Sequence, residues 1–78
     1  LAVSPDETTA VVSYSQRPDE VVYDLKTGKV RQVLTGYVTP RYIVFSPTGD
    51  VFYLSVSSLG VVRMFDTKTL KVIADIPL

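Results

Sequence analysis

Apolar residues run along this chain in short bursts, each closed by a cluster of turn formers. The first half offers "LAVS" (Leu1 to Ser4), "TTAVVSYS" (Thr8 to Ser15), "DEVVYDL" (Asp19 to Leu25) and "KVRQVLT" (Lys29 to Thr35). The second offers "YIVFS" (Tyr42 to Ser46), "DVFYLSVS" (Asp50 to Ser57), "VVRMFD" (Val61 to Asp66) and "KVIADIPL" (Lys71 to Leu78). All are rich in Val, Ile, Tyr, Phe and Thr, the residues that fit a pleated surface, and Gly, Pro, Asp and Ser separate them. No long segment carries apolar residues at helical spacing without a Pro or Gly break. The pattern therefore predicts eight strands and no helix. "IVF", "VFYL" and "VVRMF" place apolar side chains on both faces, as expected of sheets covered on both sides.

The two halves are one unit written twice. Shifted by 42 positions, Ser4-Pro5 falls on Ser46-Pro47, Ser13 and Ser15 on Ser55 and Ser57, and Asp24 on Asp66. Lys26-Thr27 falls on Lys68-Thr69, Lys29-Val30 on Lys71-Val72, and Leu34 meets Ile76, with no gap. A period of about 40 to 45 residues is that of a four-stranded propeller blade.

The turns have local explanations. Pro5 and Pro47 suit the second position of a type I turn, and Gly49 can leave that turn with positive φ. Glu7, in the place of Gly49, is expected to need a different turn. Asp24 can accept backbone N–H groups two residues on, and Gly28 supplies a left-handed residue. Leu70 stands where Gly28 stood. In the same backbone it costs about 1–2 kcal/mol, so a distorted turn is expected there.

Composition narrows the chemistry. The chain has no Cys and no His, which removes disulfides, Cys/His zinc sites, His-ligated haem and any Ser-His-Asp or Cys-His pair. Eight basic and eight acidic side chains are scattered, with no basic stripe, so no nucleic acid is expected as partner. No apolar run approaches the roughly 18 residues that span a bilayer, so no membrane insertion is expected. Asp19-Glu20 and Asp6-Glu7 lack the pattern of a calcium loop, and no carboxylate pair is placed for acid–base work. No metal, cofactor or catalytic residue is expected within the chain.

Unit two reads "SPTGDVFYLSV" and then "GVVRMFDTKTLKVIADIPL". These residues resemble the YVTN-type β-propeller repeat, at Ser46-Pro47, Gly49, Gly60, Asp66-Thr67, Lys71-Val72 and Ile76-Pro77. "GYVTPRYI" resembles the family's connection between blades, and the family's Asn is replaced by Tyr14 and Val56. The resemblance implies an all-β chain of two four-stranded antiparallel propeller blades, 1–36 with a truncated first strand and 37–78. They would belong to a six- to eight-bladed ring, commonly seven, or to an oligomer that completes one. It also implies a periplasmic, cell-surface or secreted location and a scaffold that binds a protein, polysaccharide or small ligand. Two alternatives stand beside it: part of a lactonase-like or periplasmic redox propeller whose catalytic residues lie on other blades, and an excised or engineered repeat that assembles into an even-bladed ring.

Two blades leave two open flanks. At about 25 cal/mol per Å², an open flank on the order of 500 Å² forgoes roughly 12 kcal/mol of burial. Neighbouring blades are therefore expected, from the same chain or from identical subunits; the start inside a strand, without Met, reads as a portion of a longer polypeptide. By the resemblance, "SQRPDE", "GYVTPRY" and "SSLG" line the channel face, while the Ser-Pro and Asp-Lys-Thr turns lie opposite and are structural. Arg17, Tyr37, Arg41 and Tyr42 are the candidate ligand-binding residues, because Arg presents a planar fork to anions and Tyr an amphipathic surface. The bland reading is that Arg17, Asp19 and Glu20 form a solvated ion cluster and the tyrosines pack at the blade junction.

Overall fold

The computed structural model describes residues 1–14, 19–35, 42–56 and 59–77. Eight strands are present: β1 (Ala2–Val3), β2 (Thr9–Ser13), β3 (Asp19–Asp24), β4 (Lys29–Thr35), β5 (Ile43–Phe45), β6 (Val51–Val56), β7 (Val61–Asp66) and β8 (Val72–Pro77). Each falls within an expected segment, with ends trimmed where Ser4, Ser46 and their neighbours leave the ladder for turns. The strands form two four-stranded antiparallel sheets, ordered β1-β2-β3-β4 and β5-β6-β7-β8. Among the described residues there is no α-helix.

The registers fix what each sheet presents. Ala2, Val11 and Val22 are cross-strand neighbours in the first sheet, and Glu20 pairs with Ser13 and Leu34 on that same face. In the second, Phe45, Phe52 and Phe65 lie side by side, as do Ile43, Leu54, Arg63 and Asp75. Val11, Val22 and Leu34 join Phe52, Leu54, Val56, Phe65 and Leu70 in one buried cluster, so these faces pack on each other as the core. Phe52 stacks on Phe65 with ring centres 5.0 Å apart and 9° between planes, and Phe45 tilts against Phe52 at 5.4 Å. Such contacts add about 0.5–1.5 kcal/mol each beyond area burial. Towards the outer strands Arg63 grips Asp75 with two hydrogen bonds, 2.7 and 2.9 Å.

The opposite faces are less covered, although Ala10 and Val21 on the first are buried, so the expectation of two-sided burial is met in part. On the first, Val3, Val30 and Val33 are exposed; on the second, Val44 and Ile76 are. Both sheets also bulge at one repeat-equivalent place, between Val22 and Tyr23 and between Met64 and Phe65. The extra residues are Arg31 and Ile73.

The turns repeat more faithfully than expected. The Glu7 N–H donates to Ser4 O and the Gly49 N–H to Ser46 O, both at 2.9 Å, and φ is 60° at Glu7 and 79° at Gly49. Glu7 thus adopts the glycine conformation instead of a different turn. Likewise the Leu70 N–H donates to Asp66 O and the Gly28 N–H to Asp24 O, both at 2.8 Å, with φ of 60° and 74°. The distortion expected at Leu70 is absent. Its side chain is 7% exposed and belongs to the core, and burial worth roughly 1.5–3 kcal/mol offsets left-handed strain of about 1–2 kcal/mol. Glu7 is exposed and has no such compensation.

The two positions should therefore respond with opposite sign to the same change. Glu7→Gly should raise unfolding free energy by about 0.5–1 kcal/mol, since the relieved strain slightly exceeds the added chain entropy. Leu70→Gly should lower it by about 1–2 kcal/mol. Denaturant titration of both variants measures this; equal signs would show that backbone strain alone decides.

Candidate functional site

Of the four residues singled out from sequence, Arg17, Tyr37 and Arg41 lie outside the described residues. Tyr42 is described and 71% exposed. Its backbone is fixed against β6: the Tyr42 N–H donates to Ser55 Oγ and the Ser55 N–H to Tyr42 O, both at 3.1 Å. Its side chain is exposed among the described residues, and the blade junction at which it was expected to pack lies outside them. The four are not brought together by anything described.

A cavity among the described residues lies elsewhere. A cleft of about 500 Å³ opens between the two sheets, bordered by Asp6, Thr9 and Arg31 of the first unit and Asp50, Thr67 and Lys68 of the second. It is built from the Ser-Pro and Asp-Lys-Thr turns, which the sequence presents as purely structural.

Each turn is locked by its own side chains. Ser4 Oγ accepts from the Thr8 and Thr9 N–H groups at 3.2 and 3.0 Å and donates to Asp6 Oδ1 at 2.7 Å. Asp6 Oδ1 also accepts from the Thr8 hydroxyl and N–H at 2.7 and 3.1 Å. Asp66 Oδ1 accepts from the Lys68 and Thr69 N–H groups at 2.9 and 3.0 Å, the turn that its counterpart Asp24 makes through the Lys26 N–H at 2.9 Å. Donated hydrogen bonds favour the carboxylate form. The Ser4 hydroxyl foremost holds Asp6 below the usual carboxylate range, and the Thr69 N–H foremost does so for Asp66. The serines thus serve the turn, and none is set beside a base.

Arg31 ties the cleft together. Its Nη2 donates to Lys68 O across the sheets at 2.8 Å, and its Nη1 reaches Thr9 Oγ1 at 3.4 Å. Asp50 accepts from Thr48 Oγ1 at 3.2 Å. Thr67 Oγ1 is buried without a partner. Carboxylates, hydroxyls, an ammonium and a guanidinium thus border one polar groove, suited to hydrogen-bonding a polar ligand. Among the described residues no three acids converge closely enough to hold a metal ion.

Glu20 corrects the reading of a solvated ion cluster. It is 0% exposed, both carboxyl oxygens lack a hydrogen-bond partner, and it shares the core face with Leu34 and Val22. Burial foremost, and the neighbouring Asp19 charge second, push its pKa up to about 7. The repeat carried a signal: Glu20 aligns with Val62, an apolar residue within a strand. Arg31 was overlooked because its counterpart is Ile73, and because a bulge is what turns it towards the neighbouring sheet.

A scan of protein-family models gave no match, and a search of curated proteins gave none either. Among solved structures the chain is similar to the hydrazine synthase of Kuenenia stuttgartiensis, a protein that contains a β-propeller, with a TM-score of 0.83 and 23% sequence identity. The likeness covers 99% of this chain and 22% of that one, so the chain spans about a fifth of its neighbour's length. At this identity the likeness concerns the fold. Together with the two four-stranded sheets and the repeat, it defines the chain as an all-β protein built of two β-propeller blades.

Glu20 sets a pH dependence. Unfolded, it loses its proton near the ordinary value of 4.5; folded, it keeps it to about 7. Between these values the unfolded state binds fewer protons, so stability falls as pH rises through the window and then levels off. The loss should reach about 3 kcal/mol. Glu20→Gln should remove that slope and be the more stable protein at pH 8. Thermal melts from pH 4 to 8 test this, and an unchanged slope would show that Glu20 is not its source.

Proposed function

We propose that this chain is a non-catalytic β-propeller module of the YVTN repeat type, a scaffold that binds a hydroxyl-rich ligand such as a polysaccharide segment. The polar cleft between the sheets carries this reading. Asp6 Oδ2 and Asp66 Oδ2 keep acceptor capacity, because the turn hydrogen bonds fall on Oδ1 of each. Lys68 lines the same cleft. Sugars are recognised by such alternation of acceptors and donors, and locked turns lower the ordering cost of binding. The blades are read as 1–36 and 37–78, with further blades completing the ring, and the location as periplasmic, cell-surface or secreted. These rest on the repeat resemblance: Ser46-Pro47, Gly49, Asp66-Thr67 and Ile76-Pro77.

The binding test is a titration with neutral and acidic oligosaccharides followed by amide NMR shifts. Shifts should cluster at residues 6–9, 48–50 and 66–68. Asp50→Asn with Lys68→Ala should weaken binding about tenfold or more, the loss of one or two charge-assisted hydrogen bonds, without changing the fold. Shifts confined to Tyr42 and its surroundings would move the site to the channel-face loops, and no shifts with any sugar would discard the ligand class.

A further inference from the structure

On the reading of the cleft as a saccharide site, we propose that the saccharide it takes is an amino sugar whose ammonium group is free and charged.

The polarity of the cleft belongs to this junction and not to the repeat. Ser4 and Ser46, and Asp24 and Asp66, recur because each turn needs them. Thr9, Arg31 and Thr67 do not recur. Their counterparts under the 42-residue shift are Val51, Ile73 and Leu25, all apolar. The backbone is the same at the two turns: the Thr67 N–H donates to Asp50 O at 3.0 Å as the Leu25 N–H donates to Thr8 O at 2.9 Å. That turn accepts an apolar side chain, so its geometry does not demand a hydroxyl at Thr67.

Thr67 is in fact a cost to the fold. It is 9% exposed and lines the cleft, and its hydroxyl oxygen is buried without a hydrogen-bond partner. A buried polar group left unpaired loses its hydration and regains nothing from the protein. An apolar side chain of the same shape would avoid the loss. Folding therefore does not account for this hydroxyl, whereas a polar ligand seated in the cleft does.

Charge decides which ligand. Asp6, Asp50 and Asp66 border the cleft against Arg31 and Lys68, so acids exceed bases. Arg31 is committed to Lys68 O by its 2.8 Å bond. Among the described residues no ion pair joins the three aspartates to a lysine or arginine. Asp6 and Asp66 stay ionised at neutral pH, since the turn hydrogen bonds hold both below the usual carboxylate range. An acidic sugar would meet these carboxylates as like charges, and a neutral one would leave them unneutralised. An ammonium group neutralises them, and its charge-assisted hydrogen bonds are roughly twice as strong as neutral ones. Among the described residues the acids do not converge tightly enough for a metal ion. The surplus negative charge suits a cation carried on an extended molecule, whose hydroxyls take up the remaining polar groups.

Amide NMR titrations under mildly acidic, low-salt conditions test the proposal with three oligosaccharides of equal length: glucosamine, N-acetylglucosamine and uronic acid oligomers. The glucosamine oligomer should bind about tenfold or more tightly than either of the others, with shifts at residues 6–9, 48–50 and 66–68. Added salt should shrink that preference, as should Asp50→Asn. Thr67→Val should weaken every bound saccharide about equally and leave the preference unchanged. It should not destabilise the fold, because it removes an unpaired buried group, so its effect on binding cannot be one of misfolding. Equal binding of the N-acetylated oligomer, or tighter binding of the acidic one, would overturn the proposal and leave the saccharide reading standing. Shifts at these residues with putrescine and with no saccharide would overturn the saccharide reading and support a site for positive charge. No shift with any of the four probes would overturn both.

Discussion

Everything in this chain depends on the stacking of one sheet upon the other. There is no disulfide, and a single four-stranded sheet has no partner for its apolar faces. The small face of the first sheet receives the aromatic face of the second, and from that contact other features follow. Leu70 holds a left-handed backbone because the stack gives its side chain somewhere to go. Pro5 lies close enough to Gly49 that even a methyl group there would be tight. Arg31 finds Lys68 O only because the two outer turns are brought abreast. Glu20 is an ordinary exposed acid in an unstacked chain and a buried, proton-holding one in the stack.

The two units diverge where stacking allows and agree where the backbone requires it. Ser-Pro, Asp-x-Lys-Thr and Lys-Val recur because each performs a task set by local geometry: fixing φ, accepting a turn N–H, closing a strand pair. The core positions differ freely in size, Ala10 against Phe52 and Val22 against Met64, because a facing residue can compensate a change in volume but nothing compensates a lost turn hydrogen bond. Positive φ shows the limit of this rule. Glu7 and Leu70 keep the glycine conformation without being glycine, since the hydrogen bond that closes each turn is worth keeping at the cost of strain.

The fold was legible in the sequence because two weak signals, strand composition and a fixed period, pointed to one answer. All eight strands could be read from apolar bursts between turn residues, and the Asx-turns from Asp24 and Asp66. What could not be read was how residues from different sheets meet. The cleft is made by Asp6 and Thr9 from one unit and Asp50, Thr67 and Lys68 from the other, side chains that are neighbours only through stacking. Arg31 depends on a bulge, which one extra residue in a strand does not announce. Glu20 was hidden by Asp19: two adjacent acids look solvated, yet in a strand they point to opposite faces, and Glu20 is the one that points into the core.

The cleft and the stack are therefore one thermodynamic system. Arg31 belongs to both, since the guanidinium that borders the cleft is the group that clasps the second sheet. A ligand that fills the cleft requires Asp6 and Lys68 to be abreast, so it binds the stacked state and not a chain whose sheets have parted. By mass action such a ligand stabilises the stack, by roughly 2.7 kcal/mol at a hundred times its dissociation constant.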